Sequence, residues 1–176
     1  MIDLKNDFNK GSVKIINFIN LNESIKEEIL KWRNHDTIRN WMLNDSIINI
    51  TEHLRFIKNL KKDMHNTYYC VYKDNFNIGV IYFSKINYNS KNAYLGLYSN
   101  PFINLKGRGK ILLESLEYIF FEVAKFHTLK LEVLENNEIA INLYKKFNYI
   151  EEGRLKEFVY RNSLWLDLII MGKIRE

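Results

Sequence analysis

The chain has 176 residues, of which one is cysteine, one is proline and seven are glycine. A lone cysteine, Cys70, cannot form an internal disulfide, which fits a reducing compartment and leads us to expect a cytoplasmic protein. Its setting, Tyr69-Cys70-Val71-Tyr72, is that of a buried structural thiol rather than a nucleophile. With Pro101 as the sole proline and 47% hydrophobic residues, the composition argues against disorder. No apolar run approaches the ~20 residues that span a bilayer, so no membrane partner is expected. The segment Met1-Ile2-Asp3-Leu4-Lys5 lacks the basic region and apolar block of a signal peptide. His35, His53, His65 and His127 stand apart and no His/Cys set has ligand spacing, so no metal is expected. The net charge of +5 comes from scattered lysines without a basic stripe, which argues against nucleic acid as a partner. A mild positive field suits a polyanionic cofactor and a phosphorylated substrate, and counts weakly against a polycationic one. Two phosphate loops are absent as well: there is no Gly-x-x-x-x-Gly-Lys-Ser/Thr and no Gly-x-Gly-x-x-Gly.

The length fits one domain spanning 1–176, long enough to bury a sizeable core. Alternation and turn signals predict strands over Val13–Ile19, Thr67–Lys73, Ile78–Ile86, Ala93–Tyr98, Thr128–Leu134, Tyr149–Tyr160 and Leu164–Ile174. Turns are expected at Asp74-Asn75-Phe76-Asn77 and at Arg161-Asn162-Ser163. Helices are predicted over Glu23–Trp32, over Glu52–Lys62 capped by Thr51, over Arg108–Lys125 and over Glu138–Phe147, with a short helical piece near Thr37–Met42. Glu114 and Glu117 fall off the apolar stripe of the third of these and are expected in solvent. Early helices, central strands and one βαβ-like unit after residue 90 make a mixed α/β sheet.

What remains of the glycine is concentrated where it has chemical meaning. Asn104-Leu105-Lys106-Gly107-Arg108-Gly109-Lys110 lies between a strand and a long helix. Two glycines at this spacing let the backbone curl and turn several N–H groups toward one point. The positive end of the following helix adds to the same point, forming an anion site suited to a pyrophosphate. A plain Gly-rich helix start is the alternative reading of the spacing alone.

The strand, Gly107-x-Gly109 and helix resemble the coenzyme A site of the GNAT superfamily of N-acetyltransferases. Asn104 stands where that pattern has Gln or Arg. A second segment resembles the same family: Asn137, Ala140, Leu143, Tyr144 and Lys146 match its Asn-x-x-Ala-x-x-Leu-Tyr-x-Lys motif, with Asn148-Tyr149 in place of Gly-Phe. The resemblance implies a GNAT fold, a mixed sheet splayed between its fourth and fifth strands, here Ala93–Tyr98 and Thr128–Leu134. It implies acetyl-CoA as co-substrate, held by Leu97, Ser99, the stretch Leu105, Lys106, Gly107, Arg108, Gly109 and Lys110, and by Asn137, Ala140, Leu143, Tyr144 and Lys146. Many members form dimers, so a homodimer is one expected assembly, though no residue pattern here demands it.

Moving an acetyl group from a thioester to an amine requires a neutral amine, donors for the oxyanion and a proton for the departing thiolate. The family match implies Tyr144 as general acid and the backbone amide of Leu97 or Tyr98 as oxyanion donor. Read without the match, Tyr144 is a core tyrosine and Asn137 a helix N-cap. Glu132, among apolar neighbours on its strand, is a candidate base, although strand alternation equally allows it to face solvent.

Lys31-Trp32-Arg33-Asn34-His35, Thr51-Glu52-His53-Leu54-Arg55-Phe56-Ile57 and Gly96-Leu97-Tyr98-Ser99-Asn100-Pro101 resemble the branch of the family that acetylates a UDP-linked 4-amino-4,6-dideoxy-N-acetyl-altrosamine in pseudaminic acid biosynthesis. This implies a UDP-amino sugar as acceptor. Arg33 and His53 would meet its phosphates, Met42, Phe56 and Tyr98 its uracil, sugar and methyl surfaces, and Lys91 would join them. Trp-Arg-Asn segments also occur in ribosomal-protein and polyamine acetyltransferases, so those acceptors are the alternatives. Outside enzymes, the alternative is a sensor that holds coenzyme A without turnover.

Overall fold

A computed structural model describes residues 3–175. Its centre is one eight-stranded sheet, in spatial order β1-β2-β3-β4-β5-β6-β8-β7. The strands are β1 (Phe8–Lys10), β2 (Val13–Asn17), β3 (Thr67–Lys73), β4 (Phe76–Asn87), β5 (Asn92–Ser99), β6 (Thr128–Leu134), β7 (Ile150–Arg161) and β8 (Leu164–Ile174). All neighbours are antiparallel except β5 and β6. The helices are α1 (Glu23–Asn34), α2 (Asp36–Arg39), α3 (Ile50–Leu60), α4 (Arg108–Glu117) and α5 (Glu138–Lys146).

Strand alternation feeds two apolar layers, one on each face of the sheet. On one face Ile81, Phe83, Leu95, Leu129 and Leu131 pack with Leu112, Leu113 and Leu116 of α4. On the other, Cys70 and Val80 pack with Ile29 and Trp32 of α1 and Ile57 and Leu60 of α3. Cys70 is fully buried there, and burial pushes its thiol up to about 12, so it is no nucleophile at neutral pH.

Several sequence expectations shift in detail. The short strand β1 pairs with β2 and was not legible in the residue pattern. The cap of α3 is Asn49 rather than Thr51: its side chain accepts from Glu52 N while the Glu52 carboxylate accepts from Asn49 N, a reciprocal capping box. The long helix after Gly107 changes to a wider π turn over Tyr118–Val123 before it ends. Glu117 is not solvated but half-buried, paired with Lys173 at 2.8 Å. The β3–β4 turn is tight because Asp74 and Asn75 both take left-handed backbone, at φ 49° and 68°.

Candidate active site

β5 and β6 pair only at Asn92–Thr128, Ala93–Leu129 and Tyr94–Lys130. β5 then runs on to Ser99 and β6 to Leu134 without pairing, so the sheet opens into a wedge. The parted edges carry backbone donors and acceptors that the sheet does not satisfy. A groove of about 330 Å³ fills the wedge. Leu97, Tyr98 and Ser99 line it from β5, Glu132 from β6, and Asn137, Ala140, Leu143 and Tyr144 from α5.

At one end of the groove lies the start of α4. Gly107, at φ 78°, takes the left-handed turn that a side chain resists, and no side chain caps the helix. The N–H groups of Arg108, Gly109 and Lys110, in the first helical turn, therefore lack intrahelical partners. Gly109 lines the groove, and a Cβ placed on it would lie 3.1 Å from Leu143 Cδ2. Backbone donors, the helix dipole and a bare groove wall fit the pyrophosphate of coenzyme A. The Arg108 side chain turns away from this cradle: its Nη1 donates to Ile103 O at 2.6 Å and to Asn100 O, bracing the preceding loop. Leu105, Lys106 and Lys110 are exposed around the turn.

Tyr144 is 6% exposed and borders the groove. Its ring meets Tyr149 edge-on at 5.8 Å, and burial raises its phenol above the ordinary value, so it holds its proton across the neutral range. Asn148 takes φ 64° and lets Tyr149 N donate back to Tyr144 O at 3.0 Å, which closes α5 as a glycine would. Asn137 caps α5 with its side-chain oxygen on Ala140 N at 3.3 Å, leaving its amide NH₂ for the groove. Glu132 reaches the groove rather than open solvent alone, and pairs with Lys85 at 2.8 Å.

A second cavity of similar size lies on the α1–α3 face. Met42, Tyr82 and Tyr98 belong to both cavities, so the two meet there. Tyr82 stacks on Tyr68 at 4.6 Å, and Phe56 closes edge-on over Tyr68 at 5.0 Å. Burial raises the phenols of Tyr68, Tyr82 and Tyr98, with Arg33 pulling the other way. Arg33 is the cation of this cavity. Its Nη2 donates to Asn44 O, while its buried Nη1 has no partner among the described residues. Among the described residues, no carboxylate lines the cavity.

His53 also borders this cavity but is 5% exposed, and its Nε2 lies 2.9 Å from Lys26 O. That contact requires a proton on Nε2, and burial lowers the pKa, so the ring is a neutral wall rather than a cation for phosphate. Lys91, expected beside the acceptor, sits instead just before the paired end of β5, where its carbonyl accepts from His127 N and Thr128 N, and it borders neither cavity. Lys146 is exposed near the far end of α5 and borders neither. Sequence reasoning missed Tyr82. Its signal is Gly96, directly opposite it on β5, which leaves space for the ring.

The model of the acetyltransferase (GNAT) family matches residues 27–149. The chain belongs to this GNAT family. It is 38% identical over 148 residues to acetyltransferase PseH of Campylobacter jejuni subsp. jejuni serotype O:2, across 84% of this chain and 91% of that protein. The crystal structure of Campylobacter jejuni N-acetyltransferase PseH in complex with acetyl coenzyme A superposes with a TM-score of 0.71 at 32% identity, over 93% of this chain and 99% of that one. Spermidine N-acetyltransferase from Vibrio cholerae, in complex with CoA and spermine, has a TM-score of 0.82 at 21% identity over 94% and 97%, a likeness of fold alone. This GNAT protein is an acetyl-CoA-dependent N-acetyltransferase, and its wedged mixed sheet is the GNAT fold.

Proposed function

We propose that this acetyltransferase transfers the acetyl group of acetyl-CoA to the 4-amino group of a UDP-linked 4-amino-4,6-dideoxy-N-acetyl-altrosamine, in pseudaminic acid biosynthesis. One observation carries the acceptor class: the second cavity is walled by aromatic rings, holds the unpartnered Nη1 of Arg33 and, among the described residues, has no carboxylate in its lining. Aromatic faces accept a planar base and the apolar side of a deoxysugar. A buried guanidinium N–H group without a partner, here that of Arg33 Nη1, calls for an anionic oxygen. A polyamine, by contrast, needs carboxylates and would be repelled by Arg33. The similarity to PseH supports the same choice.

Acetyl-CoA supplies the acetyl thioester, and the residues around it have separate tasks in this reading. Gly107, Gly109 and the first turn of α4 hold the pyrophosphate through backbone N–H groups. Asn137 reaches the pantetheine amides. The acceptor amine enters where the cavities meet, beside Met42, Tyr82 and Tyr98. The amide of Leu97 or Tyr98, on the unpaired stretch of β5, donates to the developing oxyanion. Glu132 is the carboxylate within the groove for the proton lost from the amine, directly or through water. Tyr144 holds the proton that the leaving sulfur takes. Cys70 is sealed in the core, so direct attack in a ternary complex is the route. We also place the enzyme in the cytoplasm as one domain.

A coenzyme A release assay tests the acceptor, with the UDP-amino sugar, spermidine and N-terminal peptides of ribosomal proteins compared at equal concentration. Preference for the UDP-amino sugar by at least about a hundredfold in kcat/KM is expected. Faster turnover of spermidine or of a peptide would overturn the assignment, and no turnover with any amine would favour a coenzyme A sensor.

A further inference from the structure

Part of the wall shared by the two cavities, at Met42, is a stretch of chain with almost no secondary structure of its own. Residues 40–45 follow α2 without forming a helix or strand. Trp41 and Met42 face the groove, and Met42, Leu43 and Asn44 face the aromatic cavity. Backbone carbonyls in such a segment need partners from elsewhere. Arginine side chains from three elements supply them. Arg33 of α1 donates to Asn44 O, and Arg39 of α2 donates to Asp45 O at 3.2 Å. Three of the remaining carbonyls are met from far along the chain. Arg161, at the end of β7, donates through Nη1 to Asn40 O and through Nη2 to Met42 O, both at 2.6 Å. Leu43 O lies 3.4 Å from Nη2, and Asp45 Oδ2 lies 3.4 Å from Nε.

We propose that Arg161 is a positioning residue for acetyl transfer: from the β7–β8 hairpin it fixes the backbone of residues 40–45, and so sets the wall against which the acceptor sits. The hairpin end is otherwise open, with Tyr160, Leu164 and Trp165 all more than half exposed, yet the Arg161 side chain is only 8% exposed. The segment it grips lies against that buried side chain. Planarity is essential to the task. One guanidinium spans the carbonyls of residues 40 and 42 at once, which a lysine ammonium, a point donor, cannot do in the same geometry. The segment borders the aromatic cavity along three residues and the groove along two, while the pyrophosphate cradle lies on α4. Loss of the grip should therefore disturb the acceptor more than acetyl-CoA.

The test uses Arg161→Ala and Arg161→Lys in the full chain, with two readouts. Hydrogen exchange, without any acceptor, reads the grip itself. Amides of residues 40–45 should exchange at least about tenfold faster in Arg161→Ala, with the sheet core unchanged. Kinetics with UDP-4-amino-4,6-dideoxy-N-acetyl-altrosamine read the consequence. The acceptor KM should rise about tenfold or more in both variants, since small misplacements are costly, while the calorimetric Kd for acetyl-CoA stays within about threefold. Unchanged exchange at residues 40–45 overturns the proposal, and so does faster exchange with an unchanged acceptor KM. If Arg161→Ala does not fold, Arg161→Lys gives both readouts by itself. The kinetic arm rests on the proposed acceptor, whereas the exchange arm does not. A wild-type enzyme idle with the UDP-amino sugar removes the acceptor reading, and the exchange result still decides whether Arg161 holds the wall.

Discussion

Tyr82 and Gly96 stand opposite each other on β4 and β5, and the phenol ring of Tyr82 occupies the space that a side chain on Gly96 would need. The ring is also fixed from its other side by its stack on Tyr68. It cannot move aside without disturbing the point where the two cavities join. Gly96→Ala should therefore act as overpacking, which typically costs ~1–3 kcal/mol of stability. The melting temperature should fall and turnover should drop, because Tyr82 must leave the junction. A Gly96→Ala enzyme with wild-type activity and melting temperature would mean that the ring is not held there.

Arg33 offers a cleaner separation of the two sites. Its buried Nη1 has no partner until an acceptor arrives, in our account. Removing a charged partner of a phosphate costs ~1.5–3 kcal/mol. Arg33→Ala should thus weaken the acceptor's kcat/KM by at least about tenfold. Acetyl-CoA affinity, read by calorimetry, should barely move. Loss of cofactor binding in its place would assign Arg33 to the other site or to the scaffold. Because Arg33 also holds Asn44 O, Arg33→Lys is the informative companion: it keeps the charge and loses the fork.

Gly109 tests the cradle. Its Cβ position is already tight against Leu143, and a branched side chain would push into both Leu143 and the groove. Gly109→Val should leave the sheet folded and weaken acetyl-CoA at least about tenfold, by obstructing the helix-end donors. An unchanged dissociation constant would rule out the turn before α4 as the pyrophosphate site.

The readable parts of this molecule are those governed by local patterns. β3, β6 and β8 fall on their expected residues because alternation and turn chemistry are local. The wedge followed from a family resemblance rather than from periodicity, since nothing in the residues of β5 alone says where its pairing with β6 stops. Roles that depend on distant partners were hidden. Arg161 looks like a turn residue until the structure brings it to segment 40–45, across more than a hundred residues of chain. His53 looks like a cation for phosphate until its ring is seen on the Lys26 carbonyl. Glu117 looks solvated until Lys173, at the other end of the sequence, arrives beside it. Lys91 was placed by resemblance near the acceptor, but its loop caps the paired end of the β5–β6 wedge, not the open one.

We propose that acetyl-CoA enters the wedge with its sulfur beside Tyr144, whose phenol keeps its proton in a buried setting. Tyr144→Phe keeps the ring, and so its edge-on contact with Tyr149, but removes the proton. The measurement is coenzyme A release by Tyr144→Phe, beside the calorimetric affinity for acetyl-CoA. The predicted result is near-native affinity with kcat lowered by roughly 10²–10⁴-fold, a loss that eases with a synthetic thioester whose thiol is a better leaving group. Full activity of Tyr144→Phe toward acetyl-CoA would contradict the account and return Tyr144 to the core.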